Sequence, residues 1–146
     1  MRNVAQTVRA GPAPEAARGL LAAANLPSSD LTDDQLTSFF YCGPADAPTA
    51  LIGLEIYGTE ALLRSLVVDP SVRSTGLASA LVERAETHAA KHGVRTLYLL
   101  TTTAEAFFAR RGYHRIDRGV APAAIRSTRE FAGLCPASSA FMSKRL

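Results

Sequence analysis

The stretch from Leu62 to Lys91 constrains the fold more than any other, because an apolar run, a short loop and a helical pattern follow one another directly. Leu62-Leu63-Arg64-Ser65-Leu66-Val67-Val68 reads as a strand that stops at Asp69-Pro70, since proline has no N–H to give a sheet ladder. Leu77, Leu81 and Ala85 then recur every four residues, with Ala80 and Ala89 on or near the same face, which is a helix period. The loop Arg73-Ser74-Thr75-Gly76-Leu77-Ala78 runs into the first turn of that helix. Its backbone N–H groups have no intrahelical acceptor, and with the positive end of the helix dipole they make an anion site.

The rest of the chain alternates short elements. Asn3 to Ala10 alternates in character and predicts a first strand ended by Gly11-Pro12; Pro14 to Asn25, with Ala17, Leu20, Leu21 and Ala24 on one face, predicts a helix closed before Pro27. Asp30 to Leu36 predicts a short helix capped by Asp30 or Thr32, each followed three residues later by an acidic or amide side chain. Ser38 to Cys42, Thr49 to Tyr57 and Ala61 to Asp69 predict an antiparallel meander. The helix to Lys91 ends at His92-Gly93, and Val94 to Leu100 returns as a strand parallel to the one before the helix. Thr102 and Glu105 predict a capping box for a helix Thr103 to Arg111, stopped by Gly112. A strand Tyr113 to Asp117, a helix Pro122 to Gly133 and a closing strand Ser138 to Lys144 complete the order.

At 146 residues, with 47% hydrophobic and 20% charged side chains, the chain is expected to be one domain spanning residues 1–146. A formal charge of +3 leans toward an anionic ligand but is too small to suggest nucleic acid, which calls for a concentrated basic stripe. No apolar run is long enough to span a bilayer and the first residues do not resemble a secretory leader, so the expected location is cytoplasmic, without membrane partners. Cys42 and Cys135 are expected as buried free thiols. His88, His92 and His114 do not make a metal set.

Two landmarks together resemble a known family. Arg73-x-x-Gly76-x-Ala78 between a strand ending in Asp-Pro and a long helix, and downstream Phe107-Phe108-Ala109-Arg110-Arg111-Gly112-Tyr113, look like the acyl-coenzyme A signature and the aromatic pair of the GNAT N-acetyltransferases. The resemblance covers essentially the whole element order. It implies an α/β fold with a mixed central sheet of about seven strands, splayed at the cofactor site and flanked by helices. It further implies acetyl-CoA as co-substrate and transfer of an acetyl group to the amine of a small molecule. By the same resemblance, Arg73, Ser74, Thr75, Gly76, Leu77 and Ala78 would hold the pyrophosphate, Leu66, Val67 and Val68 the pantetheine arm, and Thr101, Phe107 and Phe108 would lie beside the cofactor. Homodimer formation through the closing strand is a family habit.

The chain departs from the family at the catalytic positions. Arg64 and Ser65 stand where a carboxylate is usual, Phe108 replaces a Tyr, and Thr101 replaces a frequent Asn, so the acid and base stay unnamed. Arg64, on a strand whose alternation would put it on the face of Leu66 and Val68, is a candidate clamp for an acceptor anion, with Arg126 a weaker one. Leu97 to Glu105, Ala121 to Arg126 and Leu134 to Ser138 also look like the branch of the family encoded in bacterial arsenic-resistance operons. That resemblance raises an acidic, amino-acid-like or arsenical acceptor and a role in arsenic or toxin resistance. The rival reading, from the missing carboxylate and Tyr, is a catalytically silent acyl-CoA-binding or sensor module.

Overall fold

The computed structural model describes residues 7–73, 76–136 and 138–146. In chain order the elements are β1 (Arg9–Ala10), α1 (Pro14–Ala23), β2 (Phe39–Cys42), β3 (Ala50–Tyr57), β4 (Glu60–Val68), α2 (Leu77–Lys91), β5 (Thr96–Thr101), α3 (Glu105–Ala109), β6 (His114–Arg115), α4 (Ala123–Arg126) and β7 (Ala140–Arg145). The strands form one mixed sheet in the order β1-β2-β3-β4-β5-β7-β6. Short turns make β2, β3 and β4 antiparallel, whereas α2 carries the chain back so that β5 lies parallel to β4, Glu60 beside Thr96 through Leu63 beside Leu99. The sheet expected from the sequence is therefore present.

Strand alternation sorts the core into two layers. On one face α2 packs Leu77, Leu81, Ala85 and Ala89 against Phe40, Ile52, Leu54, Leu63 and Leu97. On the other, α1 brings Ala17 and Leu21 to Phe39, Tyr41, Leu51 and Val67, while Ile125 of α4 covers Leu62 and Phe141.

One irregularity in β4 decides what faces the site. Leu51 pairs with Val67 but Gly53 with Arg64, so Ile52 stands opposite both Ser65 and Leu66. This is a β-bulge, and Ser65 takes the left-handed backbone, φ 63°. The extra residue reverses the parity of the strand. Arg64 shares a face with Leu62 and Val67, and Leu66 and Val68 pack with the α2 side. The alternation that put Arg64 with Leu66 and Val68 is corrected accordingly.

Other local expectations shift for identifiable reasons. Thr32 wins the cap: its N–H donates to Gln35 Oε1 at 2.8 Å and its Oγ1 accepts from Gln35 N at 3.3 Å, opening a 3-10 turn Gln35–Ser38. Asp30 is used elsewhere. Thr102 does not cap α3; Thr101 Oγ1 accepts from Ala104 N at 3.0 Å and the helix begins only at Glu105. The helix expected over Pro122 to Gly133 ends at Arg126, where Ser127 and Thr128 donate their hydroxyls back to Ala123 and Ile125 carbonyls, and a π-type turn follows at Glu130–Leu134. The closing strand β7 is not a free edge, since it lies between β5 and β6. Of the first predicted strand, Asn3 to Gln6 lie outside the described residues, and Arg9–Ala10 pairs with β2.

Gly53 lets an aromatic ring lie flat on the sheet. A Cβ there would sit 2.2 Å from Phe39 Cζ, and Phe39 is fully buried opposite it. Gly53→Ala is expected to cost about 1–3 kcal/mol by overpacking, read as a lower denaturation midpoint with unchanged m-value. An unchanged midpoint would show that the ring can move aside.

Candidate active site

Past Leu63 and Leu99 the β4–β5 ladder stops and the two strands part. A cavity of about 510 Å³ occupies the opening, walled by Leu63 to Leu66 on one side and Leu99 to Ala104 with Phe108 on the other. Asn25, Leu26 and Pro27 after α1 and Glu130, Leu134, Cys135, Pro136 and Ser139 of the C-terminal segment complete the lining. Of the residues expected beside a cofactor, Leu66, Thr101 and Phe108 line this cavity. Phe107 does not; it packs edge-on to Phe108 and under the Arg111 guanidinium, 3.7 Å from ring centroid to Cζ. Val67 is buried toward α1.

The loop expected to hold the pyrophosphate follows the far end of β4. Gly76 takes the left-handed conformation at the N-terminus of the 15-residue α2, φ 84°, and a Cβ there would meet nothing within 4 Å. Leu77 fixes the helix by burying its side chain, and Ala78 is half-buried. Asp69 Oδ1 accepts from Ser71 N and Oγ at 2.9 and 2.7 Å, which shapes the turn entering the loop. Arg73 Nε donates to Val68 O at 3.1 Å with its side chain at the surface. Ser74 and Thr75 lie outside the described residues.

Arg64 is not free to clamp an anion. Its Nη1 lies 2.5 Å from Asp30 Oδ2 and 2.6 Å from Glu55 Oε2; Nη2 donates to Asp30 Oδ1 at 3.0 Å and Pro27 O at 3.3 Å and lies 2.9 Å from Glu130 Oε2; Nε donates to Ser65 Oγ at 3.0 Å. The side chain has no solvent exposure. All its donors are spent inside the protein, so the acceptor-clamp expectation for Arg64 is corrected. Arg126 is corrected likewise: it is exposed and folds back on Ala121 and Gly119 carbonyls at 3.2 and 2.6 Å, away from the cavity lining.

Sequence reading missed the carboxylates of this cluster. Asp30 passed as a helix cap, Glu55 as a strand residue and Glu130 as part of a helix, because nothing local reports a contact made across 34 positions. The one available signal was Arg64 itself, a guanidinium in an apolar strand that needs buried partners. Burial works to raise Asp30, yet hydrogen bonds and charge from Arg64 outweigh it and hold the carboxyl below its ordinary range. Glu130 goes the other way: burial first, with Asp30 and Glu55 adding and Arg64 opposing, lifts it to about 7. Burial and the neighbouring Glu130 push the Cys135 thiol up to about 12, so it stays protonated and is neither a ready nucleophile nor a ready proton donor. Cys42 lies apart in the core under α2. Among the described residues no group of three His, Cys, Asp or Glu side chains is placed to hold a metal.

Removing the guanidinium would strand three buried carboxylates. Arg64→Met is expected to cost about 3–5 kcal/mol near pH 8. Because the folded Asp30 carboxyl is depressed, its contribution is full above the ordinary value of 3.8 and fades only below it; in the variant the stranded carboxylates shed their charge by taking up protons, so the loss should shrink toward pH 4. Glu130 is raised, so its ionisation costs stability as pH climbs from the ordinary value of 4.5 to about 7, and Glu130→Gln should gain on the wild type across that window. Denaturant midpoints at pH 4, 6 and 8 check both signs.

A sequence model described as the acetyltransferase (GNAT) family matches residues 14–115, well over half of the chain. Solved structures repeat the fold. N-acetylglutamate synthase from Neisseria gonorrhoeae, complexed with coenzyme A and N-acetyl-glutamate, superimposes with a TM-score of 0.77 at 17% identity over 96% of this chain and 35% of that one. Rv2747 from Mycobacterium tuberculosis, in complex with CoA, gives 0.75 at 19% identity over 96% of this chain and 99% of its own. A GNAT-family acetyltransferase from Staphylococcus aureus gives 0.73 at 17% identity over 96% and 98%. The chain thus spans about a third of the length of the synthase (35%). A search of curated proteins finds no match. With the family model covering both the split strands and the start of α2, the chain belongs to the acetyltransferase (GNAT) family, a family of N-acetyltransferases whose co-substrate is acetyl-CoA.

Proposed function

We propose that this chain transfers the acetyl group of acetyl-CoA to the amine of a small acceptor lodged in the cavity between β4 and β5. The observation that carries the reading is the meeting of two features on one strand: the opening beside Leu66 and the start of α2 at Gly76. The residues fit the co-substrate. Backbone N–H groups at Gly76, Leu77 and Ala78, with open space where a Cβ would stand, suit a pyrophosphate, and Arg73 can add its charge. In this reading Ser74 and Thr75 complete that loop, Leu66, Val67 and Val68 offer a strand edge to the amide-bearing pantetheine arm, and Thr101 and Phe108 border the thioester.

Acetyl-CoA supplies an activated thioester carbonyl. The acceptor nitrogen forms a bond to that carbon, the carbon–sulfur bond breaks, the nitrogen gives up a proton and the thiolate takes one to leave as coenzyme A. The anion clamp expected of Arg64 for an acidic or amino-acid acceptor falls away, because that guanidinium is fully engaged. The likeness to the branch encoded in arsenic-resistance operons keeps amino acids and arsenicals in the acceptor panel. The reading also places the enzyme in the cytoplasm; among the described residues no helix is long and apolar enough to cross a membrane.

The test has two steps. Acetyl-CoA at about 100 times its Kd should stabilise the protein by about 2.7 kcal/mol, seen as a thermal shift, and thiol release across an amine panel should reveal an acceptor. Binding without turnover for any amine would favour the sensor alternative. Gly76→Glu forces a side chain onto a left-handed backbone, at a cost of about 1–2 kcal/mol, and puts a carboxylate at the anion site. Its affinity for acetyl-CoA should fall at least about tenfold, about 1.4 kcal/mol, by calorimetry on the folded variant. Unchanged affinity would make the loop structural only.

A further inference from the structure

The ion cluster around Arg64 does not balance. One guanidinium meets the carboxylates of Asp30, Glu55 and Glu130 in a nearly solvent-free site, so full ionisation leaves an excess of negative charge. Asp30 takes both terminal nitrogens of Arg64. Glu55 takes Nη1 and a hydrogen bond from the Tyr57 hydroxyl at 2.5 Å. Glu130 has one guanidinium contact and the Cys135 thiol, and it alone of the three carboxylates lines the cavity. Buried charge in excess is held only with a proton or a counter-cation. Apart from Arg64 and Glu130, the described residues lining the cavity carry no charge, and Leu26, Pro27, Leu66, Leu100, Phe108 and Leu134 give it an apolar wall.

We propose that Glu130 is the catalytic residue that receives the acceptor's ammonium group and takes its proton, and that the acceptor is therefore an amine on an apolar, non-anionic body. The inference rests on the acetyl-transfer reading of the cavity. The ammonium passes one proton to the Glu130 carboxylate, giving a neutral amine and a carboxylic acid. The amine then forms the C–N bond as the C–S bond breaks, and the N–H proton shed on coupling ends on the departing thiolate. Glu130 later returns its proton to water. Charges and atoms balance: ammonium and thioester become amide, thiol and one released proton.

The groups acting on Glu130 come from every element around it: Arg64 on β4, Asp30 from the segment after α1, Glu55 on β3 and Cys135 on its own segment. Tyr57 acts through Glu55, Arg129 on Asp30 and Arg118 on Cys135. Burial and the two carboxylates against one guanidinium bring Glu130 to about 7, where it exchanges a proton at neutral pH.

The test compares the intact wild type with Glu130→Gln, which keeps the shape and can still accept from Arg64. Calorimetry measures 2-phenylethylamine and acetyl-CoA binding separately, and thiol release is followed against pH with 2-phenylethylamine and with phenylalanine, which adds a carboxylate to the same amine. In the variant, kcat should fall about 100-fold or more, the acidic limb near neutrality should vanish, and amine affinity should fall about tenfold while acetyl-CoA affinity holds. The wild type should favour 2-phenylethylamine by about tenfold or more in kcat/KM. A variant that keeps amine affinity and the acidic limb while only its melting temperature moves would make Glu130 a structural partner of Arg64 and overturn the proposal, as would a preference for phenylalanine. If the Gln variant does not fold, Glu130→Asp decides: a lowered kcat with a shifted limb supports the proposal, and wild-type kcat overturns it. Wild-type protein that binds no acetyl-CoA counts against the acetyl-transfer reading instead, since amine binding is read independently.

Discussion

The Arg64 guanidinium is the contact on which the site's architecture depends. It joins the segment after α1, through Asp30 and the Pro27 carbonyl, to β3 through Glu55 and to the C-terminal turn through Glu130. Two of those parts are irregular chain that no ladder holds. By itself such a buried ionic cluster contributes little net stability, because desolvating four charges cancels most of their attraction. What it supplies is position: the segments it anchors carry Leu26, Pro27, Glu130, Leu134 and Cys135 to one cavity wall. An apolar substitute of equal volume would pack as well but could not specify which oxygen meets which nitrogen.

Arg64 reaches that position only because of the bulge one residue later. Ser65 in the left-handed region lets two residues of β4 stand opposite Ile52, and everything beyond it faces the other way. Bulges bend and twist the strand that carries them. The bulge falls where pairing with β5 ends, at Leu63 beside Leu99, so the same stretch turns Arg64 into the carboxylate cluster and accompanies the opening of the sheet. The positive end of α2 then lies a short loop beyond the strand end, and an extended ligand with an anionic tail could follow β4 to reach it.

Much of this fold was legible because the signals are local. The period of Leu77, Leu81, Ala85 and Ala89 gave α2, and Gly93 and Gly112 stop helices with φ of 84° and 91° as their positions suggested. Turn chemistry gave the meander and the crossover gave the parallel pair. What stayed hidden depends on distant partners. The bulge at Ser65 carries no Gly to announce it, β7 enters between β5 and β6 through pairings remote in sequence, and Thr128 ends a helix by a hydroxyl bond that propensity does not foresee. The left-handed glycine at the start of α2 was readable at Gly76. The chemistry side was not, since a missing carboxylate at Arg64 and Ser65 says nothing of one supplied by Glu130 from the far end of the chain.

A half-buried polar group elsewhere in the same molecule shows why charge balance separates support from chemistry. Glu86 on α2 accepts from the Tyr113 hydroxyl at 2.8 Å and from Lys144 Nζ at 2.9 Å. There one carboxylate meets one ammonium and one neutral hydroxyl, the count closes, and the contact can serve simply to pin α2 to β7. Around Arg64 the count does not close, and the excess resides on the one carboxylate that borders a cavity of about 510 Å³. A fold that needed only an anchor for its irregular segments would have been served by Asp30 and Glu55. The third carboxylate adds repulsion that stability alone does not repay, and a passing cation or proton is what would relieve it.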